Sequence, residues 1–233
     1  MEKFIKQGQI IVGLDFDNSQ SAFEITKLLN PENYKVKVGN QLFTACGPQI
    51  LEDLKKQGFD IFLDLKLHDI PNTIYKALKN LMNQDIWMTN IHLLGGEEMI
   101  QAAKEAKEHS ESKAFLIGVT VLTSLDENNV KNMGFGIKTS ELVRILSLSA
   151  KQNKIDGVVC SALEVPKIKE DFGKDFITVT PGIRIKQNSN DQSRVASLAE
   201  ATKNGSDYIV LGREITASEN ISKMIKEVES YII

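Results

Sequence analysis

Cysteine occurs only twice in 233 residues, as Cys46 and Cys160, both in apolar or small-residue surroundings. That excludes a disulfide-rich scaffold and reads as two buried thiols in a reducing compartment, with a single disulfide between them as the open alternative. Charge of one sign is also missing. The formal net charge is −3, too small to create the whole-protein field that nucleic acid or an anionic membrane would require. No apolar run reaches the length of a membrane span, and the opening Met-Glu-Lys-Phe-Ile-Lys-Gln has no signal-peptide core, so a cytoplasmic protein is expected. No His-x-x-x-His or Cys-x-x-Cys spacing is present, which argues against a transition-metal site despite His68, His92 and His109. A Mg²⁺ site on carboxylates stays conceivable. There is no low-complexity linker or break in composition, and 42% of residues are hydrophobic. One domain over 1–233 with a substantial core is the expectation.

What the chain does contain is a repeat of short β-branched apolar runs, each followed by a longer amphipathic segment. The runs are Ile10–Leu14, Tyr34–Val38, Ile61–Lys66, Trp87–Leu93, Phe115–Leu122, Gly157–Ser161, Phe176–Thr180 and Tyr208–Gly212. Helical patterns lie at Asn18–Leu29, Ile50–Gln57, Ile74–Met82, Glu97–Glu108, Ser140–Gln152, Leu163–Asp171, Arg194–Asn204 and Asn220–Tyr231. Runs apolar almost throughout suit a parallel sheet covered on both faces. An open doubly wound sheet fits the same alternation. Eight repeats, and no Gly-x-Gly-x-x-Gly turn after the first run, favour an α/β fold of the (β/α)8 TIM-barrel type.

Polar residues collect where these strands end: Asp15, Lys37, Asp64 with Lys66, His92, Thr120 with Thr123, Ser161, Thr180 to Arg184, and Gly212 with Arg213. In a barrel those ends meet at one mouth. The richest stretch is Asp64-Leu-Lys-Leu-His-Asp69, followed by Ile-Pro-Asn-Thr73. Residues two apart in a strand share a face, so Asp64 and Lys66 point together, with Asp69 just beyond. An ammonium between carboxylates stays protonated and can donate to a carbanion. The bland alternative, a structural ion pair at a strand end, explains alternating charges in an apolar run poorly, since desolvation cancels much of the Coulomb gain. Lys37 falls on the same strand face as Lys35 and is expected to join Asp15 and Asp64 in a charge network. His68 could simply lean on Asp64 or Asp69. Gly212 and Arg213, opposite the Pro181-Gly-Ile-Arg184 loop, suit a phosphate between the seventh and eighth barrel loops. The hydroxyls at Thr120, Thr123 and Ser124 have no neighbouring His to activate them and read as positioning groups.

These motifs, Gly13-Leu-Asp15, Lys37-Val-Gly39, Asp64 to Thr73, Val121-Leu-Thr-Ser124, Pro181-Gly-Ile-Arg184, Asp191-Gln192 and Gly212-Arg213, stand in one order along essentially the whole chain. In them the chain resembles orotidine 5′-phosphate decarboxylases of the bacterial type. The resemblance implies a homodimeric barrel that converts orotidine 5′-monophosphate to UMP and CO₂ without a cofactor or metal. It implies that Lys66 is the proton donor, with Asp64 and Asp69 holding its ammonium and Lys37 completing the charged set. Asp15 and Lys37 would hold the ribose, and Arg184, the Gly212 amide and Arg213 the phosphate. Thr123 would lie near the pyrimidine, with Pro181 also lining the substrate site. Gln192 would close the phosphate loop, although the loop looks a residue shorter than in some relatives and leaves Gln187 open as well. Asp69, Ile70 and Thr73 would reach into the neighbouring subunit's site. Two rivals are a Mg²⁺-dependent decarboxylase or aldolase of keto-sugar phosphates, sharing an Asp-x-Lys-x-x-Asp signature, and a noncatalytic binder on the same fold.

Overall fold

A computed structural model describes residues 3–185 and 196–233. Eight parallel strands close a barrel: β1 (Ile10–Gly13), β2 (Tyr34–Gly39), β3 (Ile61–Leu67), β4 (Met88–His92), β5 (Phe115–Val119), β6 (Gly157–Val159), β7 (Ile177–Thr180) and β10 (Tyr208–Leu211), with β10 returning to pair with β1. A two-stranded piece, β8 (Ile183–Arg184) with β9 (Ala196–Ser197), sits above β7. The expected barrel is therefore the observed one, and the open sheet is not.

The helices follow the amphipathic pattern closely. They are α1 (Ser19–Thr26), α2 (Asn40–Cys46), α3 (Gln49–Lys56), α4 (Pro71–Met82), α5 (Glu97–His109), α6 (Glu127–Asn132), α7 (Thr139–Gln152), α8 (Val165–Phe172), α9 (Leu198–Lys203), α10 (Arg213–Thr216) and α11 (Ile221–Glu229). Pro71 opens α4, where its missing N–H leaves no donor unpaired. In α9 the Ser197 hydroxyl accepts from Glu200 N and the Glu200 carboxylate accepts from Ser197 N, so two orphan donors are satisfied and the helix start is fixed. The helical pattern expected from Arg194 is thereby corrected: Ala196 and Ser197 are extended and pair with β8, and helix begins only at Leu198.

Two apolar layers result. The larger packs helices onto the outside of the sheet. The inner one is made by Ile11, Phe62, Met88, Ile117, Val179 and Val210, one from each of six strands, meeting on the barrel axis. Below it Trp87, Phe115, Ile177 and Tyr208 close the floor, with Trp87 edge-on to Phe115 and Tyr208 at ring distances of 5.9 and 4.8 Å. The Lys35 ammonium caps Trp87 at 4.4 Å and pairs with Asp60 at 2.5 Å. Above the inner layer the alternation that put Phe62 inside puts Asp64 inside as well, and it likewise turns Lys37 and Asn90 inward. Neither cysteine is joined in a disulfide; Cys160 is buried and Cys46 partly so. Among the described residues no helix is long and apolar enough to cross a membrane.

Candidate active site at the barrel mouth

A cavity of about 660 Å³ opens at the C-terminal ends of the strands. Asp15, Lys37, Asp64, Lys66, Thr123, Pro181, Arg184, Gly212 and Arg213 all line it, joined by Glu214. Nine residues picked out from sequence, spread over two hundred positions, therefore share one wall. Its inner end is apolar, formed by Phe62, Val119, Val159, Val179 and Val210.

Charge is arranged along this wall as an alternating chain. Asp15 Oδ1 accepts from Lys37 Nζ at 3.0 Å, Lys37 reaches Asp64 Oδ2 at 3.3 Å, and Lys66 Nζ lies 2.8 Å from both Asp64 oxygens. The pairing expected of Lys37, Asp15 and Asp64 is thus present. The side chains of Asp64 and Lys37 are 8% and 11% exposed, whereas Lys66 keeps 34% and faces the cavity. Burial alone would lower the pKa of Lys37. Asp64 and Asp15 more than offset it, so its pKa stands above the ordinary lysine value. Gly13 and Gly39 leave room for this crowding: a Cβ on Gly39 would lie 3.1 Å from Lys37 Nζ and 3.2 Å from Asp15 Oδ1.

The backbone beneath Lys66 is unusual. Lys66 has φ +49°, in the left-handed region that costs a non-glycine residue about 1–2 kcal/mol. The cause is a register shift. β3 takes four steps from Leu63 to Leu67 while its partner takes two, from Thr89 to Ile91. Asn90 fills the gap, accepting the Lys66 N–H on Oδ1 at 2.8 Å and donating from Nδ2 to Asp64 Oδ1 at 2.6 Å. Asn90 is fully buried and was not singled out in the sequence, although a carboxamide at an inward position of an apolar run was a usable signal.

Other expectations fare differently. Asp69 does not touch Lys66 within this chain: its carboxylate turns back to accept from Ile70 N at 2.6 Å, and among the described residues it forms no ion pair. Asp69, Ile70 and Thr73 are all exposed around the start of α4, outside the cavity, and Ile70 is 65% exposed. Thr120 is fully buried and donates its hydroxyl to Val159 O at 2.8 Å, so it serves the sheet rather than the cavity. His68 leans on neither carboxylate; it stacks on His92 with ring centroids 5.4 Å apart. Burial, then His68 and then Lys66 push the His92 pKa below its usual value, and its Nδ1 is buried with no partner among the described residues. Gly212 needs no positive φ; a Cβ there would meet open space, so the glycine leaves cavity volume free. Gly182, at φ +74°, does need the freedom of glycine. Gln187, Asp191 and Gln192 lie outside the described residues. No group of three or more His, Cys, Asp or Glu among the described residues is disposed to hold a metal ion.

The Orotidine 5′-phosphate decarboxylase / HUMPS family model matches residues 8–228. The chain is 44% identical over 225 residues to the orotidine 5′-phosphate decarboxylase of Saccharophagus degradans, covering 96% of this chain and 94% of that protein. It is 42% identical over 226 residues to the enzyme of that name from Aliivibrio fischeri, covering 96% and 97%. A crystal structure of orotidine 5′-phosphate decarboxylase from Lactobacillus acidophilus superimposes with a TM-score of 0.84 at 36% identity, covering 97% of this chain and 99% of that one. With the model matching nearly the whole chain and relatives more than 40% identical over it, the chain belongs to the orotidine 5′-phosphate decarboxylase / HUMPS family.

Proposed function

We propose that this chain decarboxylates orotidine 5′-monophosphate to UMP, in pyrimidine biosynthesis, with Lys66 as the proton donor. The observation that carries the reading is the Lys66 ammonium, held 2.8 Å from both Asp64 oxygens while facing a cavity large enough for a nucleotide. The bond from C6 to the carboxyl carbon breaks, its electron pair stays on C6, and CO₂ departs. The Nζ ammonium stabilises that developing charge and then transfers a proton to C6; water reprotonates the amine afterwards. Asp64 keeps the ammonium oriented.

Asp15 and Lys37 hold the ribose hydroxyls. Arg184, Arg213 and the Gly212 amide take the phosphate at the opposite end of the cavity, where Arg offers a bidentate fork to a dianion. Thr123 and Pro181 flank the base. Gln192, with Gln187 as the alternative, completes phosphate binding. Contacts remote from C6 supply binding energy that is used to orient the reacting carbon. The enzyme works as one domain in a cytoplasmic homodimer, without cofactor or metal, and Asp69, Ile70 and Thr73 of each subunit serve the other's site. Their exposure at the start of α4 supports that assignment.

The family also contains the keto-sugar phosphate branch implied by its name, but relatives more than 40% identical over nearly the whole chain favour the nucleotide. Purified protein mixed with orotidine 5′-monophosphate and EDTA is expected to bleach the orotate ultraviolet band. Persistence of the band, or turnover abolished by EDTA, refutes the assignment. Lys66→Ala is expected to lose at least about 1,000-fold in kcat while unfolding at an unchanged urea midpoint, the scale of removing a group that both donates a proton and stabilises charge.

A further inference from the structure

We propose that Asn90 is the positioning residue for Lys66: its carboxamide holds the left-handed kink from which the ammonium projects. The inference rests on the decarboxylase reading above. A bulged strand leaves unpaired backbone groups, and here β3 spends four steps between Leu63 and Leu67 against two on β4. The Lys66 N–H has no β4 carbonyl opposite it and is taken instead by Asn90 Oδ1 at 2.8 Å. The same carboxamide donates to Asp64 Oδ1 at 2.6 Å, the oxygen that also accepts from Lys66 Nζ. One side chain therefore fixes both the backbone of the donor and the carboxylate that aims it.

No shorter residue reaches both partners, and an apolar one satisfies neither. A fully buried carboxamide with donor and acceptor both engaged also cannot flip without breaking both bonds. The groups facing it are Asp64 and Lys66 on β3, with Lys37 on β2 behind Asp64, while its register neighbour on β5 is Ile117. Asn90 does not line the cavity, so it acts through Lys66 and not on substrate.

The test compares wild type, Asn90→Ala and Asn90→Asp by orotate-band kinetics, urea unfolding and crystallography. Asn90→Ala is expected to lose about 100-fold in kcat, the cost of roughly 1 Å of misplacement, with KM within about threefold. Its Lys66 φ should turn negative. Asn90→Asp keeps the acceptor for Lys66 N–H but sets a carboxylate against Asp64. Burial and like charge raise the pKa of the new carboxyl, and once protonated it again donates to Asp64. Its kcat is therefore expected to recover, relative to wild type, as pH falls from 8 to 6. A kcat for Asn90→Ala within about twofold of wild type overturns the proposal, as does an Asn90→Asp profile parallel to the wild-type one. If Asn90→Ala does not fold, the equal-sized Asn90→Asp decides alone. A wild-type chain inert toward the nucleotide refutes the decarboxylase reading; a Lys66 φ still positive in Asn90→Ala refutes the role of Asn90 whatever the substrate.

Discussion

Lys66 occupies an expensive backbone conformation directly beneath the ammonium that it turns into the cavity. Strain of this kind persists only where neighbours over-determine it, and here Asn90 and Asp64 do so from two sides. Asp64 was legible in sequence because a carboxylate inside an apolar strand has few purely structural explanations. The kink itself was not, because a register shift depends on which residue of another strand stands opposite. His92 shows the same limit. Its place at a strand end was readable, but its stack depends on His68, just past the end of another strand, and nothing in the sequence signals that its Nδ1 is left unpartnered among the described residues. Its lowered pKa means that the folded protein binds this proton less readily than the unfolded chain. Stability should then be complete above the unfolded value of about 6.5 and fall as pH drops below it. His92→Gln is expected to flatten that acid slope in urea midpoints measured from pH 7 to 5; an unchanged slope contradicts it.

At the level of elements, the eight strand and helix alternations were readable because burial on both faces leaves an unmistakable apolar run. Three helices were not foreseen: α2, α6 and α10. Each spans seven residues or fewer, too short for a 3.6-residue period to emerge, and α6 is instead defined by the reciprocal Asp126 and Asn129 cap. The strand expected to run to Leu122 stops at Val119, because Thr120 turns its hydroxyl onto the backbone of β6. Backbones approach closely at Gly157, where β6 meets β7. A Cβ on Gly157 would stand 2.1 Å from the Ile177 carbonyl oxygen, and a backbone atom cannot swing aside as a side chain does. Gly157→Ala is therefore expected to cost about 3 kcal/mol in urea unfolding, at the upper end for overpacking. A loss below about 0.5 kcal/mol would show that the barrel yields there.

For the molecule as a whole, the site was legible to the extent that its parts lie on one chain. Nine foreseen residues converge on the cavity, whereas Asp69, Ile70 and Thr73 face outward. Spacing put Asp69 just beyond the strand that carries Lys66, and its use in a neighbouring subunit's site was implied only by the resemblance. Assembly in which each subunit completes the other makes a definite prediction. Lys66→Ala and Asp69→Ala are each expected to be nearly inactive. Mixed in equal amounts and allowed to exchange, they form dimers in which one site carries both defects and the other neither. Activity should then recover to roughly a quarter of wild type, as two-fold symmetry and random pairing require. No recovery after demonstrated exchange places Asp69 in its own subunit's site.

The aromatic floor of the barrel has a consequence for traffic. Trp87, Phe115 and Tyr208 stop the lower end, and the Lys35–Asp60 pair seals Trp87 from beneath. Among the described residues that end is filled, and the cavity opens at the other. Under the proposed chemistry, the gas set free at C6 would therefore leave by the same mouth through which the nucleotide enters.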